Sequence, residues 1–304
     1  MSAIVNANTA TLSLAGRQSG THLSTELDAS TSALWCFMHA TPRPCFSSAL
    51  LAECRTVQRS VVQGSHDPHA PPIEFLVLAS SVPGVFNLGG DLSLFMHLIQ
   101  EQDRVALAAY ARACIEVSYH QSIGLGLPLT TIALVQGDAL GGGFEAALAC
   151  HLIVAERGAQ LGLPEVLFNL FPGMGAFTFL SRRLDAVRAE RLILSGRVYR
   201  AEELHEMGVV DELAEPGDGA AVVAEVIERR RRRPLAYGAM RQVRQQHHPV
   251  TYDELLSIAE LWVDQALQLS PKDLRTMNRL FRAQSLRAPT SEYAAEPMAA
   301  QAAG

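Results

Sequence analysis

Apolar positions along this chain follow two rhythms. Residues 34–38 (LWCFM) form a short apolar run, and residues 73–78 and 129–135 form near-continuous ones, a pattern that predicts buried strands. Between the first two runs, Leu50, Leu51, Cys54, Val57 and Val61 fall at helical spacing and predict a helix over 46–62. Residues 91–100 and, more firmly, 104–121 also read as helix. A further helix is predicted from 142 to about 150, then a short strand over 152–155. Helix and strand go on alternating to about residue 212, and from 220 onward almost everything is helical. That order predicts an α/β core followed by a helical region, with no internal repeat. The expected organisation is a flexible arm over 1–25, the core over 26–215, the helical region over 216–288 and a disordered tail over 289–304.

Composition narrows the class. With 48% hydrophobic and 18% charged residues in 304, the chain has ample material for a core, which excludes a disordered protein. A formal net charge of -6 disfavours nucleic acid as a partner. The five cysteines (Cys36, Cys45, Cys54, Cys114, Cys150) are odd in number and lack a CxxC pair, as expected in a reducing compartment. The ten histidines form no cluster beyond His247–His248, so no metal site is expected. The first basic residue is Arg17, and the polar stretch before it does not read as an export signal. Residues 158–181 carry Glu165 as their only acidic residue before Arg182, yet Pro164, Pro172 and four glycines interrupt any membrane span. A cytoplasmic protein without a membrane span is expected. The run Arg229–Arg233 reads as a solvated helix end.

Three segments are out of keeping with folding alone. At 137–145 (GDALGGGFE) a buried strand runs into three consecutive glycines and then a helix, which suits close approach by a ligand or an oxyanion. At 86–91 (FNLGGD) a second glycine turn follows a buried strand and offers further backbone donors. At 163–168 (LPEVLF) Glu165 stands alone in an apolar neighbourhood, as Glu145 does in its own. Burial without a countercharge raises a carboxyl pKa toward neutrality, so the two glutamates are candidates for an acid/base pair.

These segments carry a resemblance. FNLGGD, GDALGGGFE, Pro164-Glu165 with Pro172-Gly-Met-Gly175, and Leu194-Ser-Gly196 with Ala201-Glu-Glu203 and Gly208-Val209-Val210 occur in the order found in the crotonase (enoyl-CoA hydratase/isomerase) superfamily. The resemblance spans roughly residues 30–285 and implies a ββα spiral core over 26–215, a helical C-terminal region and a homo-oligomer, usually a trimer. It implies oxyanion-hole N–H groups at Gly90 and Gly142, catalytic carboxylates at Glu145 and Glu165, and no cofactor. Ser93 stands where hydratases commonly have a basic residue near the CoA adenine, and Ala176-Phe177-Thr178 replaces the usual Gly-Gly-Thr. Within the superfamily the chain is most similar to the diffusible-signal-factor synthases of the Rpf system. That similarity implies a lyase with thioesterase activity, converting a 3-hydroxyacyl chain on acyl carrier protein into a free cis-2-unsaturated fatty acid for quorum sensing. It also implies a sensor-kinase receiver domain as a regulatory partner and an acyl pocket lined by Leu140, Gly141, Met174 and Trp262. Trp262 lies on a stripe with Leu255, Ile258, Ala259 and Ala266, which predicts a helix with one apolar face. The alternatives are an ordinary enoyl-CoA hydratase or a partner-binding protein on the same fold.

Overall fold

Both faces of the main sheet are covered, and that is why its strands read as continuous apolar runs. The computed structural model describes residues 17–39 and 42–286. Its strands are β1 (Arg17–Ser19), β2 (Leu23–Asp28), β3 (Ala33–Met38), β4 (Phe75–Ser80), β5 (Val85–Asn87) and β6 (Thr130–Val135), then β7 (Asp138–Leu140), β8 (Leu152–Glu156), β9 (Gln160–Gly162), β10 (Val198–Arg200) and β11 (Glu212–Ala214). Its helices are α1 (Ser48–Gly64), α2 (Leu92–Gln100), α3 (Arg104–Ser122), α4 (Gly142–Leu148), α5 (Ala176–Arg183) and α6 (Ala186–Ser195), then α7 (Ala201–Glu206), α8 (Gly219–Arg231), α9 (Pro234–His247), α10 (Tyr252–Ala266) and α11 (Pro271–Leu286).

A seven-stranded sheet runs β1-β2-β3-β4-β6-β8-β11, parallel from β3 onward. Alternate residues of its strands enter two separate cores. Leu34, Leu76, Ala133 and Ile153 join the larger core beneath α1 and α3, whereas Phe75, Val77, Ile132 and Val154 pack against Val223, Val226 and Ile227 of α8. The second sheet runs β10-β9-β7-β5, with β5, β7 and β9 parallel.

The arm expected over 1–25 does not extend that far. Residues 17–19 and 23–28 pair as an antiparallel hairpin, Leu23↔Met38 then joins β2 to β3, and Glu53 Oε2 accepts the N–H groups of His22 (3.1 Å) and Leu23 (2.8 Å). Ser24 and Thr25 are buried polar residues there, so the segment lacks the apolar run that would have marked it as strand. Residues 1–16 and the tail expected over 289–304 lie outside the described residues.

Helices α8–α11 form the helical C-terminal region, and α10 and α11 belong to the larger core. Thr251 caps α10, which buries Leu255, Ala259, Trp262, Val263 and Ala266. Ion pairs from Arg104 and Arg112 of α3 to Glu260, and from Arg182 of α5 to Glu254, hold it in place. At the end of α8, the half-exposed Arg229 pairs with Glu212, whereas Arg230 is partly buried and lies 4.5 Å over the Tyr237 ring. Among the described residues no helix is long and apolar enough to cross a membrane.

Candidate active site

Three distant segments meet because they leave the same end of three adjacent strands. The parallel strands β5, β7 and β9 pair Asn87 with Ala139 and Leu140 with Gly162. The chain therefore emerges at one edge as 88–91, 141–145 and 163–168. Open sheets of parallel strands bind ligands beyond such carboxyl ends.

The first turn is held tightly. Asn87, almost fully buried, accepts the Gly89 N–H at Oδ1 (2.9 Å), and Asp91 caps α2 through the N–H groups of Ser93 and Leu94. Tyr110 donates its hydroxyl to the Phe46 carbonyl (2.5 Å) and receives the Asp91 N–H (3.4 Å). The second turn sits against the first. A Cβ on Gly142 would lie 3.4 Å from the Gly90 nitrogen, and one on Gly143 would strike the Asn87 carbonyl oxygen at 2.0 Å. Gly141 has φ +51, and a Cβ there would come within 2.6 Å of Glu165 Oε1. Small residues are thus required by the neighbouring backbone and by Glu165. No hydrogen bond to an acceptor occupies the Gly90 or Gly142 N–H among the described residues.

Glu145 and Glu165 differ in their surroundings. Glu145 is 2% exposed, and its Oε1 accepts the N–H groups of Met174 (2.8 Å) and Ala176 (3.0 Å), the latter at the start of α5. Burial pushes its carboxyl up to about 7, against the pull of those two donors. Glu165 lies on a 3₁₀ turn, Pro164–Phe168, and its Oε2 is buried without a hydrogen-bond partner. Burial first, and the nearby Glu145 second, push it up to about 8. Donors favour charge on Glu145, while an unpartnered oxygen favours the proton on Glu165. With both carboxyls raised toward neutrality and unlike in their hydrogen bonding, the pair can share one proton, the state that would take one proton and give another.

All the residues singled out from the sequence line one cavity of about 260 Å³: Gly90, Gly142, Glu145 and Glu165 together with Leu140, Gly141, Met174 and Trp262. Trp262 packs on Gly173 and meets the Phe95 ring edge-on at 5.2 Å, so it is at once core and cavity wall. The sequence reading missed Phe95 and Tyr110 of the same wall. Each is one aromatic on an ordinary apolar helix face, with no local signal to set it apart.

The kcat/KM of any reaction that needs the one-proton pair should be bell-shaped in pH, with both limbs displaced above the ordinary carboxyl range. A pH–rate profile that is flat across neutrality would contradict this.

A family model described as enoyl-CoA hydratase/isomerase matches residues 45–233. The peroxisomal fatty acid beta-oxidation multifunctional protein AIM1 of Arabidopsis thaliana is 36% identical over 135 residues, 44% of this chain and 18% of that protein. YngF of Bacillus subtilis, whose name places it with the enoyl-CoA hydratases/isomerases, is 32% identical over 179 residues, 58% of this chain and 64% of that protein. The chain thus spans less than two thirds of either relative. The crystal structure of an enoyl-CoA hydratase from Bacillus halodurans superposes with a TM-score of 0.72 at 18% identity, covering 85% of this chain and 100% of that one, a likeness of fold.

Proposed function

We propose a reaction for this chain from one premise: it belongs to the enoyl-CoA hydratase/isomerase family. The chain dehydrates a 3-hydroxyacyl thioester on acyl carrier protein and then hydrolyses the thioester, releasing a cis-2-unsaturated fatty acid, as a diffusible-signal-factor synthase does. One observation carries the reading: two buried carboxyls with unlike hydrogen bonding share an apolar cavity with two unoccupied backbone N–H groups.

The thioester oxygen accepts from the Gly90 and Gly142 N–H groups, which stabilise the charge that develops on it and so acidify C2. One carboxylate takes the C2 proton while the other carboxyl gives its proton to the hydroxyl on C3. Water leaves, C2 and C3 become doubly bonded, and the pair still holds one proton. In the second step water adds to the thioester carbonyl and passes a proton to the carboxylate. The tetrahedral oxyanion rests in the same N–H pair, then collapses and expels the carrier thiol, which takes up a proton.

The carrier is argued from the turn after Gly90. Helix α2 contains no lysine or arginine, and Arg43, which reaches this turn, is paired with Asp91 (3.2 Å). Little there would grip a nucleotide phosphate, which favours a protein carrier. A homo-oligomer, taken to be a trimer, is supported by α9, which buries none of its residues and leaves Leu235, Met240 and Val243 exposed. A sensor-kinase receiver domain completes the proposed partners.

The second reading is a plain enoyl-CoA hydratase, favoured by the family model and by what the relatives are named. Matched 3-hydroxyacyl thioesters on acyl carrier protein and on CoA separate the two. The expected result is free 2-enoic acid by mass spectrometry, with kcat/KM higher for the carrier protein. Preference for CoA, with reversible dehydration to the 2-enoyl thioester and no free acid, moves the function to the hydratase.

A further inference from the structure

A second cavity, of about 30 Å³, lies behind the first, and the two share the wall formed by Phe46, Val117, Ser118 and Ala146. We propose that this second cavity receives the distal end of a long acyl chain and sets the chain length the protein accepts. The inference rests on the reading of the substrate as an acyl thioester.

Three observations support it. Two of the four residues of the shared wall, Ser118 and Ala146, are small, so little side-chain bulk separates the two cavities there. Beyond the wall the sides are apolar: Cys36, Cys54, Val57 and Leu76 are each less than a tenth exposed. Burial pushes the Cys54 thiol up to about 12 and raises that of Cys36 as well, so both stay neutral beside a methyl end. Part of the lining, Gln58 and Gln121, is polar and already engaged. Gln58 Nε2 donates to the Val117 carbonyl (3.1 Å) and to Gln121 Oε1 (3.4 Å), Arg55 donates to Gln58 Oε1 (2.9 Å), and Gln121 Nε2 donates to Cys150 Sγ (3.4 Å). An alkyl end can abut this network but cannot replace it without stranding buried polar atoms. It is a stop.

The space is small, room for roughly two water-sized spheres, and so for one or two carbons. Each methylene that enters should tighten binding about fourfold until the cavity is full, after which added carbons should gain nothing.

Saturated fatty acids lengthened one carbon at a time, titrated calorimetrically against the full chain, test this without requiring turnover. For the wild type, affinity should climb and then level off. Val57→Leu on α1 and Cys36→Val on β3, which line only the second cavity, should level off one or two carbons earlier with shorter acids bound as before. Leu76→Ala should level off later. A plateau at the same length in the wild type and every folded variant overturns the proposal. Should the variants not fold, the wild type still decides. A fatty acid bearing a diazirine at its far end, irradiated on the protein, should label residues of α1, β3 or β4. Labelling confined to Leu167, Leu280 and their neighbours at the first cavity overturns it, and leaves the second cavity to water. Absence of any length-dependent binding overturns both this proposal and the acyl reading, whereas binding with the expected plateau but no dehydration overturns only the proposed reaction.

Discussion

Glu165→Gln is expected to lower turnover by about 10²–10⁴-fold, the usual contribution of a positioned acid or base. Melting above neutral pH should be no lower than in the wild type. The reason is the sign of the pKa change. Glu165 is raised from 4.5 to about 8 in the fold, so between those values the unfolded chain has lost a proton that the folded chain keeps. The group's effect is neutral below the unfolded value, and stability falls as pH rises through the window toward 8. Glutamine cannot ionise. It should therefore flatten the pH dependence of melting in that window while abolishing the proton transfer. Glu145→Gln should cost turnover to a similar extent, because its carbonyl oxygen can still accept the Met174 and Ala176 N–H groups but cannot exchange a proton. Activity and melting curves on one preparation, from acid to mildly alkaline pH, check both. Turnover within a few-fold of wild type in either variant would remove that residue from the chemistry.

Gly142→Ala should lose activity by about 10²–10³-fold, the effect of disabling one oxyanion donor, with no loss of folding. Gly142 opens α4 and its φ is not positive, so alanine suits the backbone there. Its added Cβ would nevertheless stand 3.4 Å from the Gly90 nitrogen, in the space a thioester oxygen needs in order to reach both N–H groups. Substrate binding through the apolar cavity should survive, so the loss should fall mainly on kcat. Gly143→Ala is the contrasting control. Its Cβ would meet the Asn87 carbonyl oxygen at 2.0 Å, and that variant should fail to fold properly. An active Gly142→Ala would show that the two N–H groups do not act together on the substrate.

Much of this architecture was legible in the chain itself. Runs such as 73–78 and 129–135 announce strands covered on both faces, because alternate residues must each find a core, and they do so on opposite sides of β4 and β6. Helical spacing located α1, α3 and the buried face of α10 for the same reason. The glycine turns and the solitary glutamates stood out as departures from what folding alone would select. Hidden from the sequence were the hairpin of β1 and β2, whose buried positions include Ser24 and Thr25, and the second sheet, whose strands of three residues are too short to show a period.

That second sheet decides the site. Gly90, Gly142 and Glu165 are distant in the chain, and their local patterns say only that each is unusual. Parallel pairing of β5, β7 and β9 brings their carboxyl ends side by side, so that Gly142 faces Gly90 and Gly141 makes room for Glu165. The shift of both carboxyl groups toward neutrality likewise comes from their burial in the fold and, for Glu165, from the nearby Glu145, with Met174 and Ala176 supplying donors to Glu145 alone. The sequence determined which groups could do chemistry, since residue type is local. Which of them share one apolar cavity, and which is the more inclined to keep its proton there, depends on long-range pairing and burial, and those exist only in the folded chain.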